Sequence, residues 1–489
     1  REGLPPTRSP GVPLRPLGQA TAAQSTGPGG GGWFTRSAET TKSTLADSVR
    51  GVARRLPPQR IWFLTLAALL VAIGACSPTL SGGRATSPER PSGSTASSPS
   101  PSPSVSESPE SARIRAPGGG SLLVRGHYPR TPSRCVRPER HSLLARYPGT
   151  LSVKRLDDGM LSLTATLPFE RYLQGIAEVP PSWPIAALEA QAIAARSYAL
   201  ATTGWSGSQG ETLKTPICAT TSCQVYGGIP VPPEADIRRW YHAVRATSRE
   251  VLLYQGRPAD TVYFSTSNGH TYGNDQVFGS APLPYLRPVI ERDDGASPTS
   301  RWQVRLPFAD LARFLHAAGE WPGGRAISSV APDGTRIVVS GSGASRSMDL
   351  GTFRDAVNTW APCLEPGRYP QASLPVTIPS EWLMVSSDRD AAVVTGRGWG
   401  HGVGMVQWGA YGKALRGYSA SNILAFYYGG LRPQTYPEPG LIHVRVASGL
   451  TSLRIAPSGP GATLDGSVLR PGRVSIIGGD QLTVTTESG

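Results

Sequence analysis

Apolar side chains recur at two spacings along this chain, and the switches between them outline its elements. Beyond Ser121 the segments LLVRGHY, TLSVKRL and GMLSLTATL carry short alternating or apolar runs, which predict strands. Over residues 167–202 the spacing turns helical. Phe169, Tyr172, Leu173 and Ile176 predict one helix, with Pro168 in its first turn and Pro180-Pro181 forbidding continuation. Ser182 is expected to cap a second helix, with Pro184 in its first turn. There Ile185, Leu188, Ala192, Ala195 and Ala199 recur at steps of three and four, a stripe that must face the core, while Glu189 and Arg196 lie off it. Strands are expected again in 240–265 (VLLYQG, TVYFSTS) and 326–355, and a helix over 308–318. A helix starts near Met405, and another runs from Ser419 to Tyr428, closed by Gly429-Gly430. Residues 440–489 alternate Val, Leu and Ile with polar residues between turns. The fold class is therefore α+β: a mixed or antiparallel sheet with packed helices and a substrate cleft, a small C-terminal β segment and a disordered N-terminal region.

Composition divides the chain further. Gly (57) and Pro (47) are concentrated rather than spread, which points to low-complexity segments. Residues 1–60 form a basic low-complexity segment. Residues 61–75 carry no charge, follow Arg54, Arg55 and Arg60, and are short for a membrane span, which needs about 20 residues. They have the length of a signal-peptide apolar region. The run ends Ile73-Gly74-Ala75-Cys76, similar to the lipobox of bacterial lipoproteins, so Cys76 is the expected lipidation site and an uncleaved helix anchor the alternative. The preceding 60 residues are long for a leader; they read as a cytoplasmic tail or as sequence ahead of the true start. Residues 77–118 are Ser/Pro-rich and predict an extended tether. A main domain over 119–435 and a small β tail over 436–489 complete the division. The net charge of +14 suits an anionic polymer or membrane, but no Lys/Arg cluster with interleaved aromatics argues for nucleic acid. After Cys76 four cysteines remain, Cys135, Cys218, Cys223 and Cys363, enough for two disulfides in an exported protein. Zinc is the rival, but no His lies near Cys218 or Cys223.

The residues that could do chemistry fall in three places. Glu178 is expected at the end of the first helix, where the negative end of the dipole and apolar neighbours such as Trp183 would raise its pKa toward that of a general acid. Arg196 could pair with a carboxylate or bind an anionic group, and Tyr198 follows it. Ser265, Ser267, Asn268 and His270 leave a strand into a polar loop, without the surroundings of a nucleophile elbow. The run 396–410, GRGWGHGVGMVQWGA, is dense in glycine and suits a binding loop: Trp399 and Trp408 offer flat faces to a sugar ring, Gln407 hydrogen-bonds hydroxyls, and His401 is an acid/base group or a structural donor. The cleft is expected between the Glu178 helix pair and the His401 loop.

Four ordered blocks resemble the stage II sporulation protein D family, also seen in amidase-enhancer proteins of the bacterial cell wall. They are LPFERYLQGIAEVPPSWPIAALEAQAIAARSYAL (167–200), CQVYGG (223–228), VYFSTSNGHTYGNDQVFGSAPLPYLRPV (262–289) and GRGWGHGVGMVQWGAYGKALRGYSASNILAFYYGG (396–430). The resemblance implies a lytic transglycosylase that cleaves peptidoglycan glycan strands at the MurNAc–GlcNAc bond, or a non-catalytic enhancer of a cell-wall amidase. The family's catalytic glutamate lies in Glu-Met-Pro; the matching residues here are Glu178-Val179-Pro180. Asn268-Gly269-His270 stands where Gly-Gly is usual. Some relatives hold zinc through Cys and His; the matching His is missing, so neither metal nor cofactor is carried over. The expected partners are glycan strands, an amidase and the membrane, and the expected location is the outer face of the bacterial cytoplasmic membrane, reaching into the wall.

Overall fold

The computed structural model describes residues 110–116, 118, 120–129, 142–176, 178–208, 210–229, 237–369, 377–459, 461–469 and 472–488. The basic N-terminal segment, the 61–76 anchor, most of the Ser/Pro-rich stretch and Cys135 lie outside them.

Period-two patterning builds two large sheets. The first has seven strands, in the order Ser467–Val468, Thr463–Leu464, Ser111–Arg115, Thr150–Arg155, Leu161–Pro168, Leu441–Leu450 and Ile217–Cys218; only the last pairing is parallel. The second is antiparallel, in the order Thr483–Ser488, Gly472–Ile477, Ser452–Pro457, Ser121–His127 and Ser142–Pro148. Along Leu161–Pro168 every second residue from Leu161 to Leu167 is buried, as alternation requires. The folded body begins before residue 119. Within the stretch expected to be tether, Ser111–Arg115 buries Ala112 and Ile114 and pairs with Thr150–Arg155. Two small apolar residues beside a Ser/Pro tract are a weak signal, but they alternate. The C-terminal β segment is woven into both sheets.

Eight helices pack on this frame among the described residues: α1 Phe169–Gln174, α2 Ile185–Thr202, α3 Ile237–Ala246, α4 Asn274–Phe278, α5 Phe308–Ala317, α6 Leu350–Leu364, α7 Gln407–Leu415 and α8 Ala420–Tyr427. Ser419 caps α8, its Oγ accepting from the Asn422 N–H. Pro168 and Pro184 stand at the cap positions of α1 and α2, not inside the first turn, and Ser182 caps nothing. Helix α3 occupies the start of a region whose pattern predicts strand, and α6 begins inside 326–355, also predicted to be extended, because Asp349 accepts the Thr352 N–H (2.7 Å) and starts a helix.

Helix α2 carries the architecture. Leu188, Ala192, Ala195 and Ala199 are fully buried as the stripe predicts, but Ile185 at its head is exposed. Burial also extends round the helix. Ala187, Leu188 and Leu200 face the core of the large sheets, while Ala190, Ile193 and Ala194 face a second core shared with α7 and α8. Alanine on nearly every face lets two cores approach one helix closely. That is why Arg196, off the stripe, is as buried as the stripe itself.

Residues 302–396 build a third core of their own, with Leu306, Leu311, Phe314, Phe353, Val357 and Val394 at its centre. Strands Trp302–Pro307, Ala391–Gly396 and Leu383–Asp388 form one small sheet there, and Ser329–Asp333, Arg336–Gly341 and Ala344–Asp349 another. A short parallel pairing then joins distant sequence: Tyr263 stands opposite Met405 and Phe264 opposite Val406.

Candidate active site

The glycine run reaches its place only because it is glycine. Gly398, Gly400, Gly402 and Gly404 all have φ between 73° and 112°, in the region that disfavours side chains. At Gly404 a Cβ would also sit 2.0 Å from the Val262 carbonyl oxygen. The run therefore lies against the Tyr263–Phe264 strand, with Thr266 bridged to Trp399 and Tyr272 to Val403.

His401 locks that contact. The Val403 N–H donates to Nδ1 (3.1 Å), which puts the ring proton on Nε2, and Nε2 donates to the Tyr263 carbonyl (2.9 Å). Burial pushes its pKa down to about 4, so the ring is neutral at physiological pH. Both nitrogens are occupied by backbone. Of the two roles open to His401 in the sequence, the geometry supports the structural donor.

Between this loop, α2 and the 302–396 unit lies a cleft of about 1300 Å³. Glu178 lines it, but not from a helix end: α1 stops at Gln174, and Glu178 follows in the turn before Pro180. The helix dipole therefore does not account for its chemistry. Burial does, pushing the carboxyl up to about 7. Two neutral donors oppose that rise by favouring the charged form. The Tyr263 hydroxyl donates to Oε2, and the Val225 N–H donates to Oε1 (2.9 Å). Behind them, buried Gln224 donates from Nε2 to Tyr263 Oη (2.9 Å) and the Ala195 carbonyl (3.1 Å), and accepts from Tyr172 Oη (2.7 Å). Tyr263 itself is held well above the usual phenol range by burial and by the Glu178 charge, so it remains a donor. The arrangement is a carboxyl poised to give or take a proton near neutrality, with no cation paired to it among the described residues.

Aromatic surface flanks the acid. Trp183 meets Trp408 edge-on (4.9 Å between ring centres) and lies 5.1 Å from Tyr411; across the cleft Trp382 stacks on Tyr272 at 5.7 Å and 17°. Such flat apolar faces beside polar groups suit pyranose rings.

The cleft brings together Glu178, Tyr198, Ser265, Trp399, His401, Gln407 and Trp408. Four other expected residues do not line it. Arg196 is wholly buried between Glu170 (2.9 Å) and Glu438 (2.7 Å), because α2 carries it into the core rather than to a surface. Ser267 is buried and donates to Asp294 Oδ2 (2.7 Å). Asn268 donates to Tyr272 Oη (2.8 Å), and His270 is exposed beyond Tyr272, its ring centre 4.5 Å away. Their loop turns behind Tyr272, so only its first serine reaches the cleft. Three contributors went unforeseen: Tyr263, the Gln224-Val225 pair, and the α6 face with Arg354, Asp355 and Asn358. The first two lay inside noted segments, yet nothing local distinguishes a tyrosine that meets a glutamate 85 residues away. Cys218 and Cys223 are joined in a disulfide, and Cys363 is disulfide-bonded as well.

The family model described as stage II sporulation protein (SpoIID) matches residues 157–254, which include Glu178, Gln224 and Val225. An uncharacterized protein of Brachyspira hyodysenteriae is 31% identical over 294 residues, 58% of this chain and 71% of that one. The stage II sporulation protein D of Bacillus subtilis is 29% identical over 275 residues, 54% of this chain and 74% of that protein. The amidase enhancer of Bacillus subtilis is 28% identical over 298 residues, 53% of this chain but only 39% of the enhancer.

Proposed function

This chain belongs to the stage II sporulation protein D family, and from that premise we propose that it is a cell-wall lytic transglycosylase with Glu178 as its single acid and base. A glycan strand lies in the cleft with its rings against the Trp183–Trp408 and Trp382–Tyr272 faces. Protonated Glu178 gives its proton to the oxygen of the MurNAc–GlcNAc bond, which breaks. The resulting carboxylate, steadied by Tyr263 and Val225, takes the proton of the C6 hydroxyl on the same MurNAc. That oxygen closes onto C1 and leaves a 1,6-anhydro ring. No water and no second carboxylate enter, unlike the two-carboxylate hydrolases. The observation that carries this reading is the Glu178 carboxyl, buried in the cleft, held by two neutral donors and poised near pH 7.

A cell-wall role fits the names of the relatives, and the Cys218–Cys223 disulfide fits an oxidising compartment outside the cytoplasm. The chain works from the outer face of the cytoplasmic membrane, with the 61–76 segment and Cys76 as anchor and the Ser/Pro-rich stretch as spacer. A second reading, a glycan-binding enhancer of an amidase, is favoured by the name of one relative. It needs the aromatic cleft but not the acid.

Mass analysis of muropeptides after digestion by the purified protein separates the two. Anhydro-ended products are expected from the wild type, and Glu178→Gln should lose about 10²–10⁴ in rate while still binding glycan. Products that appear only when an amidase is added, or equal digestion by Glu178→Gln, overturn the lyase.

A further inference from the structure

The Val225 amide that steadies Glu178 follows a short loop with a polar, exposed tip, in which the Cys223 N–H donates to the Thr220 carbonyl (2.9 Å). Strand Ile217–Cys218 is anchored to the seven-stranded sheet, with Cys218 opposite Arg445 and the Ala219 N–H donating to the Arg445 carbonyl (3.2 Å). Then come Thr220, Thr221 and Ser222, all exposed and without an apolar side chain to bury. Cys223 follows, and directly after it Gln224, which holds Tyr263, and Val225, whose N–H holds Glu178. The Tyr226 N–H returns to the Ala219 carbonyl only at 3.4 Å. Burial holds Gln224 and Tyr226 but not the tip at residues 220–222, and a covalent tie closes that tip: Cys218 and Cys223 are bonded, with their Cα atoms 5.5 Å apart. Thr221, Ser222 and Cys223 also line the cleft, so the tied loop faces the substrate.

We infer that the Cys218–Cys223 disulfide is a positioning element for Glu178, fixing the Val225 amide against Oε1 from the sheet side. This rests on Glu178 being the acid. Opening the bond leaves the loop free to drift, and Glu178 loses a donor that favours its charged form. The carboxyl then titrates higher, and proton transfer is misaligned.

The test is Cys218→Ser with Cys223→Ser in the full protein. The Glu178 carboxyl is titrated by infrared difference spectroscopy against Glu178→Gln, and glycan cleavage is followed in parallel. The expected result is a folded protein whose Glu178 midpoint has moved up from about 7 and whose cleavage rate has fallen by about one to two powers of ten. An unmoved midpoint overturns the inference. A moved midpoint in a protein that cleaves no glycan even with the bond intact sinks the lyase reading and leaves the positioning role standing. Should the double variant not fold, the wild type is titrated with reductant. Alkylation and mass spectrometry then report when the 218–223 pair opens, and the exchange rate of the Val225 amide reports the donor. Unchanged exchange after opening overturns the inference equally.

Discussion

Glu178 stands in the turn between α1 and α2 and Arg196 on α2 itself, and each is a charge-bearing side chain whose charged end is withdrawn from water. They differ in what meets them. Arg196 Nη2 donates to Glu170 Oε1 (2.9 Å) and the Val244 carbonyl (3.0 Å), and Nη1 to Thr247 Oγ1 (3.3 Å) and the Glu250 carbonyl (3.4 Å). Its Nε lies 2.7 Å from Glu438 Oε1, an ion pair off the hydrogen-bond axis. Two carboxylates and several acceptors thus match one permanent cation. Glu178 has two neutral donors and, among the described residues, no cation, so its charge remains costly. Burial alone does not separate scaffold from chemistry. A group whose charge is fully answered holds the fold, and one whose charge is half answered can move a proton.

The largest expected effect breaks the answered side. Arg196→Met leaves Glu170 and Glu438 facing each other without their cation and should cost about 3–5 kcal/mol of stability. Denaturant unfolding measures it. Glycan cleavage per folded molecule should stay near wild type. A variant with normal stability and no cleavage would mean that Arg196 reaches the substrate, and the distinction drawn between the two sites would fail.

Much of the frame was legible, because burial obeys spacing. The alternation in Leu161–Pro168 and the alanine stripe of α2 place themselves, and so does the density of glycine around His401. What escaped was partnership across sequence distance. A carboxylate partner is one of the two roles the sequence leaves open to Arg196, but Glu170 and Glu438 stand too far off in sequence to be named from it, and Tyr263 looks ordinary because its partners Glu178 and Gln224 are equally remote. Ser111–Arg115 was hidden by the composition of its neighbours. Glu178 stands out both by its place before Pro180-Pro181 and by motif resemblance, and of the two causes expected to raise its pKa the helix end fails, because α1 stops short, while desolvation does the lifting.

A smaller effect sharpens the unanswered side. In the fold Glu178 titrates near 7, above the 4.5 of an unburied glutamate. A carboxyl raised on folding prefers to be protonated there. Its ionisation in the unfolded chain therefore draws stability away as pH rises from about 4.5 through 7. Glu178→Gln carries no such penalty. It should match the wild type below about pH 4 and exceed it above pH 8 by about 1–2 kcal/mol, less than the full shift implies because part of the side chain beside the buried carboxyl still meets solvent. Thermal melts across pH check this. A constant difference at all pH values would mean that Glu178 is not the group that titrates.

The smallest effect concerns the rim. His270 stands in a loop rich in hydroxyls, beside a serine that does reach the cleft, so sequence made it a candidate. Its ring is exposed and rests against Tyr272, which itself stacks on Trp382 in the cleft lining. Tyr272 lines the cleft and His270 does not, and the imidazole holds neither Glu178 nor the donors around it. Removing it uncovers one side of Tyr272 but leaves the Trp382 stack and the Asn268 contact to hold that ring. His270→Ala should accordingly keep cleavage within about twofold, and stability within about 0.5 kcal/mol, the range of ordinary surface changes. Initial digestion rates measure the first and thermal melts the second. A loss beyond tenfold at unchanged stability would extend the glycan track past Tyr272 onto this loop, and the rim would have to be counted with Glu178 on the chemical side of the comparison.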